Sequence, residues 1–265
     1  MTYLACVLGV LVVVALVLRF SLFLPAIRGL PVLLYHKMST DSEDSLTVRQ
    51  ETFEQHLVYL RQKGFETISL KRLFSHMDTG EVLPEKPVLI TFDDGYVNNL
   101  ELACPLLKKY GCSAVFFIPA AGIGKTSFWD TNAEPIMTAG QLKAIDHDIV
   151  EFGLHSFDHK NYRHLTPDQI ESDVRNAVSA FKDLGIPYAP VFAYPYGGRP
   201  DDKATCKSMV ESFARSGIRL AFRIGNRVNR LPLKNAFEVK RISIRGTDST
   251  WTFKTKLSKG RVKQV

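Results

Sequence analysis

The chain has 265 residues, 45% of them hydrophobic and 23% charged, which is enough apolar content for a core and too much for a disordered or fibrous chain. Lys and Arg number 34 against 27 Asp and Glu, and the resulting charge of +7 is spread along the sequence rather than gathered in a stripe. With no nucleic-acid motif beside it, that pattern excludes a nucleic-acid groove.

Residues Tyr3 to Leu18 are almost continuously Leu, Val and Ala, and after Arg19 the apolar character resumes through Leu24 before Pro25. About 20 such residues cross a bilayer. No charged region precedes the stretch and no small-residue cleavage site follows it. One uncleaved transmembrane helix is therefore expected within residues 1–28, anchoring a folded domain over residues 29–265. Arg19, Arg28 and Lys37 follow the span, a weak vote for holding that domain on the cytoplasmic face. Lys254, Lys256, Lys259, Arg261 and Lys263 make the other end a basic tail. It reads as a solvated tail, with attraction to anionic lipid headgroups as the sharper alternative.

From Pro31 onward, short apolar runs alternate with amphipathic stretches. Val32 to Tyr35 reads as a strand, Ser39 to Ser45 as a polar loop, and Phe53, Leu57, Tyr59 and Leu60 as one face of a helix stopped by Gly64. Phe65 to Leu70 reads as strand, Lys71 to Met77 as helix and Pro87 to Phe92 as a buried strand. Leu100 to Tyr110 is expected to be helical, Ala114 to Ile118 a strand, Ala139 to Ile145 a helix and Val150 to Leu154 a strand. Thr166-Pro167-Asp168-Gln169 has the order of a capping box and opens a helix through Leu184. Strand Val191 to Tyr194, helix Lys203 to Ser216, strands Arg219 to Arg223 and Glu238 to Ile244, and a helix from about Ser249 complete the series. Such alternation means parallel strands covered by helices, either a barrel or an open doubly wound sheet. Cys6, Cys104, Cys112 and Cys206 lack metal or redox spacing, and no structural disulfide is expected.

Three strand ends carry the chemistry. Ile90-Thr91-Phe92 runs out of the core into Asp93-Asp94-Gly95, and two adjacent carboxylates there are costly unless a cation or donors compensate them. His155-Ser156-Phe157-Asp158-His159 follows another strand, with histidines at i and i+4 that would share a face on a helical turn and suit one metal. A carboxylate beside them makes an Asp-His-His set with coordination positions left open. Phe192 to Gly198 ends in Tyr194-Pro195-Tyr196-Gly197-Gly198, a tight loop whose N–H groups can face an oxyanion.

Together, and in this order, these stretches resemble the polysaccharide deacetylases with a NodB-type domain, carbohydrate esterase family 4, over roughly Pro31 to Ser258. The resemblance implies a distorted (β/α) barrel of about seven strands and a metal-dependent hydrolase that removes N-acetyl groups from amino sugars. By matching position it implies Asp93 as catalytic base and Asp94, His155 and His159 as ligands of one divalent ion, zinc first and cobalt or nickel as alternatives. Spacing alone does not divide the roles of the two aspartates. Pro195 and Tyr196 would form the substrate and oxyanion loop.

Two departures stand out. Ala193 occupies the place of the family arginine that orients the base, leaving Arg199 or Arg241 as substitutes. No histidine follows His164, so the family's late acid motif is absent, and the early Tyr35-His36 takes its place, as in the poly-N-acetylglucosamine deacetylase-like subgroup. His36 is accordingly the expected general acid, while His56, His76, His147 and His164 are expected to be non-catalytic. The expected partners are a glycan or lipid-linked amino sugar and the membrane, with no obligate protein partner. The resemblance favours an extracytoplasmic, cell-envelope role over the cytoplasmic face. The alternatives are an O-acetyl esterase and an idle anchor protein that binds glycan.

Overall fold

Short runs in which apolar residues dominate or alternate with a few polar ones read as strands of a largely buried sheet. Val32–Tyr35 (β1), Pro87–Asp93 (β5), Ala114–Ile118 (β6), Val150–Leu154 (β7), Val191–Ala193 (β8), Leu220–Ile224 (β9) and Val239–Ser243 (β10) are such strands. In the computed structural model, which describes residues 6, 7, 9, 10 and 28–260, they pair in parallel in the order β1-β10-β9-β8-β7-β6-β5. Strand β1 also pairs with β5, Leu33 opposite Ile90 and Tyr35 opposite Phe92, which closes the ring. Closure decides between the two architectures left open by the alternation, in favour of a seven-stranded barrel.

Helices pack outside it. Gln50–Gln62 (α1) buries Phe53, Leu57 and Leu60, and Pro167–Asp183 (α5) buries Ile170, Val174, Ala177 and Phe181. Thr166 caps α5 in a complete capping box with Gln169. Lys203–Arg215 (α6) starts at the Asp202 cap, and Thr250–Lys259 (α7) at the Ser249 cap. Each removes orphan N–H groups at a helix start, typically worth about 1 kcal/mol.

The side chains of each strand alternate between two cores. Leu33, Tyr35, Ile90, Phe92, Phe116, Phe152 and Phe192 belong to the outer core under the helices. Val32, Leu89, Val115, Phe117, Val191, Ala193, Leu220, Phe222 and Val239 belong to a second cluster inside the barrel. The period of two then carries inward His36 after Val32, Asp93 after Leu89, His155 after Gly153 and Arg241 after Val239. These residues lie at the C-terminal ends of their strands, where the barrel opens.

The other end is plugged. Only Glu66–Thr67 (β4) of the strand expected over Phe65 to Leu70 is extended, pairing with β5 outside the ring. Ile68, Leu70 and Leu73 instead join the inner cluster, and Leu70–Thr79 (α2) begins there. Glu151 holds that helix start by accepting from the Leu70 N–H at 2.5 Å and the Lys71 N–H at 3.2 Å. Two other segments also differ from expectation. The polar loop after β1 carries a small parallel pair, Lys37–Ser39 (β2) with Thr47–Arg49 (β3), turned by Asp44 accepting the N–H groups of Leu46 and Thr47. The helix expected from Leu100 opens as a π-turn over Asn99–Ala103, and Cys104–Tyr110 (α3) takes up the α register where Pro105 has no N–H to continue the earlier ladder. Ala139–Ala144 (α4) is a further helix among residues 28–260, and the four cysteines are free.

The transmembrane helix expected within residues 1–28 falls almost entirely outside the described residues, among which no helix is long and apolar enough to cross a membrane. The expected solvated basic tail is corrected in its first half, where Lys254, Lys256 and Lys259 lie on α7 and Lys256 is buried in an ion pair with Asp248 at 2.6 Å, while Arg261 and Lys263 lie outside the described residues.

Gly153 is closely packed inside the barrel. A Cβ there would stand 2.6 Å from Phe117 Cε1 and 2.7 Å from Val191 Cγ2. Gly153→Ala is therefore expected to destabilise the fold by about 1–3 kcal/mol in urea denaturation, and a neutral result would show that the two side chains yield freely.

Candidate active site

Strict alternation would send Asp94 to the outer core, opposite Asp93. The chain avoids this by turning at once: Asp94 has φ 74° and Gly95 φ 73°. Two successive left-handed residues swing the second carboxylate back over the barrel mouth, and both aspartates end buried, at 3% and 4% exposure. Gly95 has a second reason to be glycine, since a Cβ would stand 2.5 Å from Ile118 Cδ1.

His155 and His159 converge by the same device. They are not on a helical turn, as the i, i+4 spacing implied; they flank a loop in which Ser156 and His159 have φ 65° and 60°. Ser156 Oγ accepts the His159 N–H at 2.8 Å. Asp173 of α5 braces the loop from behind, accepting from the Phe157 N–H at 3.0 Å and the Tyr162 hydroxyl at 2.6 Å. Left-handed conformations are uncommon away from glycine, and four of the five such residues in the described chain, Asp94, Ser156, His159 and Tyr196, sit at this mouth.

One oxygen of Asp94 and one nitrogen from each of His155 and His159 all lie within 4.8 Å of one another. His155 Nδ1 faces the Ala193 carbonyl at 2.8 Å. Donating its proton there leaves the Nε2 lone pair facing the carboxylates, 3.5 Å from Asp94 Oδ1. His159 Nε2 is 3.1 Å from the same Oδ1. That oxygen is buried and accepts no well-directed hydrogen bond. Two imidazole nitrogens converging on an unsatisfied buried carboxylate oxygen are a donor set that one cation completes, so these residues fit a divalent ion. Burial pushes His155 down to about 4, which keeps it neutral and able to ligate at physiological pH. Burial works against ionising Asp94 as well, but His159 and His155 outweigh it and hold its carboxyl well below the ordinary value.

Asp93 has a different partner. Arg241, fully buried on β10, meets it bidentately, with one guanidinium nitrogen 2.5 Å from Oδ1 and the other 2.7 Å from Oδ2. The guanidinium also lies 5.4 Å from the Phe117 ring centroid. Burial opposes the charge on Asp93, and the Arg241 cation overcomes it, leaving the carboxyl below its usual range. Of the two arginines that could replace the one absent at Ala193, the fold selects Arg241. Arg199 pairs instead with Glu238, away from the aspartates.

His36 reaches the same mouth from β1, half-buried and close enough for its charge to stabilise both aspartates as carboxylates. Asn99 holds its backbone by donating to the His36 carbonyl at 2.7 Å. Tyr196 is 58% exposed on the loop after β8 and stands edge-on to His159 with centroids 4.8 Å apart; Pro195 is buried beneath it. Trp129 also stacks on His159, with ring centroids 4.6 Å apart. The remaining histidines stay apart from this cluster: His56, for example, is buried on α1, stacked on Phe253 and pushed by burial down to about 3.

Residues 80–211, about half of the chain, match the family model described as polysaccharide deacetylase. The chain belongs to the polysaccharide deacetylase family. It is 33% identical over 168 residues to YxkH of Bacillus subtilis, covering 63% of this chain and 57% of that one. It is 25% identical over 224 residues to a Staphylococcus aureus poly-β-1,6-N-acetyl-D-glucosamine N-deacetylase, covering 80% of this chain and 72% of that one. The match spans only 14% of the Escherichia coli enzyme of the same name. Among solved structures, IcaB from Ammonifex degensii superposes with a TM-score of 0.72 over 89% of this chain and 98% of that one, at 24% identity, a likeness of fold.

Sequence reasoning missed Trp129 and Asp173, which have no spacing signal relative to the motifs they support. Removing the cationic half of a buried ion pair leaves an uncompensated charge, a loss of typically about 3–5 kcal/mol. Arg241→Met is expected to lose stability on that scale, and denaturation at neutral pH showing a loss below about 1 kcal/mol would mean that Asp93 is not held by this pair.

Proposed function

We propose that this protein is a divalent-metal-dependent N-deacetylase acting on N-acetylhexosamine units of a cell-envelope polysaccharide or glycolipid. The observation that carries the reading is the convergence at one barrel mouth of Asp94, His155 and His159 with the arginine-paired Asp93, in a chain of this family. The name of the Staphylococcus aureus relative supports a poly-N-acetylglucosamine substrate. Exposed rings of Tyr196 and Phe128 offer apolar faces on which sugar rings could lie.

Asp94, His155 and His159 would hold the ion, with zinc the first expectation and cobalt or nickel the alternatives. When bound, it supplies Lewis acidity toward the acetyl carbonyl and toward water. Asp93, kept ionised by Arg241, takes the proton of the attacking water. The backbone N–H of Tyr196, presented by the Pro195-Tyr196 loop, donates to the developing oxyanion, a contribution typically worth about 3 kcal/mol. His36, protonated, gives its proton to the departing amine nitrogen, a poor leaving group without it. Acetate and a free amino sugar result. Arg241 also removes the observation on which the idle glycan-binding reading rested, namely the missing arginine at Ala193.

The apolar stretch from Tyr3 to Leu24 supports a single-pass anchor in the cell membrane, with the catalytic domain on the extracytoplasmic face. Protease added to intact spheroplasts is expected to digest the domain, and full protection would place it on the cytoplasmic side instead.

An N-acetylglucosamine oligomer is expected to release acetate in the presence of the enzyme and to stop when a chelator is added; no release at any metal loading would favour glycan binding without turnover. Asp94→Ala is expected to lose stoichiometric metal. His36→Gln is expected to lower amide turnover by about 10²–10⁴-fold and to damage hydrolysis of an O-acetyl ester far less, because an alkoxide is the better leaving group and needs the acid less. Equal losses on both substrates would remove His36 from the role of acid.

A further inference from the structure

The second oxygen of Asp94 is occupied by a network that the reaction does not use directly. Tyr96, fully buried two residues beyond Asp94, places its hydroxyl 3.0 Å from Asp94 Oδ2 and 2.7 Å from Asp130 Oδ2. One hydroxyl proton thus stands between two carboxylates. The compensating charge is Lys37, next in sequence to His36 and only 7% exposed, whose ammonium is 3.1 Å from the same Asp130 oxygen and 3.0 Å from Glu134 Oε1. It also lies 4.9 Å from the centroid of the Tyr96 ring.

Asp130 and Glu134 belong to a hairpin that crosses the mouth between β6 and α4. Thr126 bridges to Pro135, the Ser127 N–H bonds to the Glu134 carbonyl at 2.9 Å, and the Ile136 N–H bonds to the Lys125 carbonyl at 2.8 Å. The Val97 N–H and the Met137 N–H tie this hairpin to the segment after the aspartates, bonding to Pro135 O at 2.9 Å and Gly95 O at 3.0 Å. The same hairpin carries Trp129, stacked on His159. It therefore reaches two of the three residues that fit the metal, His159 directly by stacking and Asp94 through the Tyr96 hydroxyl that Asp94 and Asp130 share.

We propose that Tyr96, Asp130 and Lys37 are positioning residues that tether Oδ2 of Asp94, so that Oδ1 alone faces the two histidines, and that they lock the residue 124–136 hairpin onto the metal site. The physical reason is geometric. A carboxylate free to rotate could offer both oxygens or neither; with Oδ2 held by Tyr96, the ligand oxygen is fixed before any ion arrives. Lys37 makes this tether tolerable by neutralising Asp130, and it links the strand end bearing His36 to the hairpin bearing Trp129.

The inference rests on the metal reading above, and its test separates the two. Apo-enzyme with Trp251→Phe, which leaves Trp129 as the sole tryptophan, is titrated with zinc, and binding is followed both by competition with a chromogenic chelator and by Trp129 fluorescence. The parent is expected to bind one equivalent and to change its fluorescence on binding. Tyr96→Phe, which removes only the hydroxyl, is expected to bind zinc about 10–100-fold more weakly. Asp130→Asn is expected to weaken binding comparably, and the Tyr96→Phe/Asp130→Asn double variant no more than the worse single one. Lys37→Met is expected to shift the Trp129 emission of the apo-enzyme as the hairpin loosens. Should Tyr96→Phe fail to fold, Asp130→Asn carries the test alone, its side chain lying at the partly exposed end of the network. Failure of the parent to bind zinc overturns the metal reading and this inference with it. Parent-like affinity in both Tyr96→Phe and Asp130→Asn overturns the positioning role alone.

Discussion

The constraint on which the site depends is the cost of two adjacent carboxylates where a buried strand leaves the core. Neither aspartate is solvated, so each must be neutralised by a partner of its own, and the structure assigns them differently. Asp93 receives a bidentate arginine from β10, the strand two places away around the ring. Asp94 instead faces the imidazoles of His155 and His159, whose nitrogens together with its own Oδ1 make a set that one cation would complete. That asymmetry gives the two acids different surroundings and, in the proposed mechanism, the separate roles of base and ligand, a division that the spacing of the motif could not make.

Barrel closure makes these partnerships possible. His36, Asp93, His155 and Arg241 come from four strands separated by up to about two hundred residues of chain, and each projects inward because a strand's side chains alternate with a period of two. Where that period would misplace a group, the backbone departs from it. Asp94 and His159 adopt left-handed conformations, and the glycine after Asp94 completes the turn. Strain of this kind persists only where the surroundings over-determine it, here through Ser156, Asp173 and the Tyr96 hydroxyl.

The arginine absent at Ala193 has a counterpart in space rather than in sequence. The Ala193 side chain is small, but its carbonyl still orients His155, and the guanidinium arrives from another strand across the barrel interior. A requirement for a positive group at one point in space need not be a requirement at one point in sequence. The same holds for the acid, supplied in this reading by His36 from the first strand rather than from the end of the domain.

The sequence by itself determined most of the strands and helices, because apolar run length, capping residues such as Thr166 and stop glycines such as Gly111 and Gly185 are local signals. It also marked Asp93, Asp94, His155, His159 and Tyr196, since these lie in short contiguous motifs at strand ends. What it could not determine were facts of long-range register. The alternation of elements alone left barrel or open sheet undecided, since that turns on β1 meeting β5, and Arg241 rather than Arg199 depends on which arginine falls on the inward phase of its strand. The histidine spacing implied a helical turn, yet two left-handed residues hold the pair together, a choice made by packing against Asp173. Tyr96, Asp130, Lys37 and Trp129 come together only when the hairpin folds over the mouth. Side chains that meet across a closed barrel have no fixed separation along the chain, so only the tertiary structure could decide them.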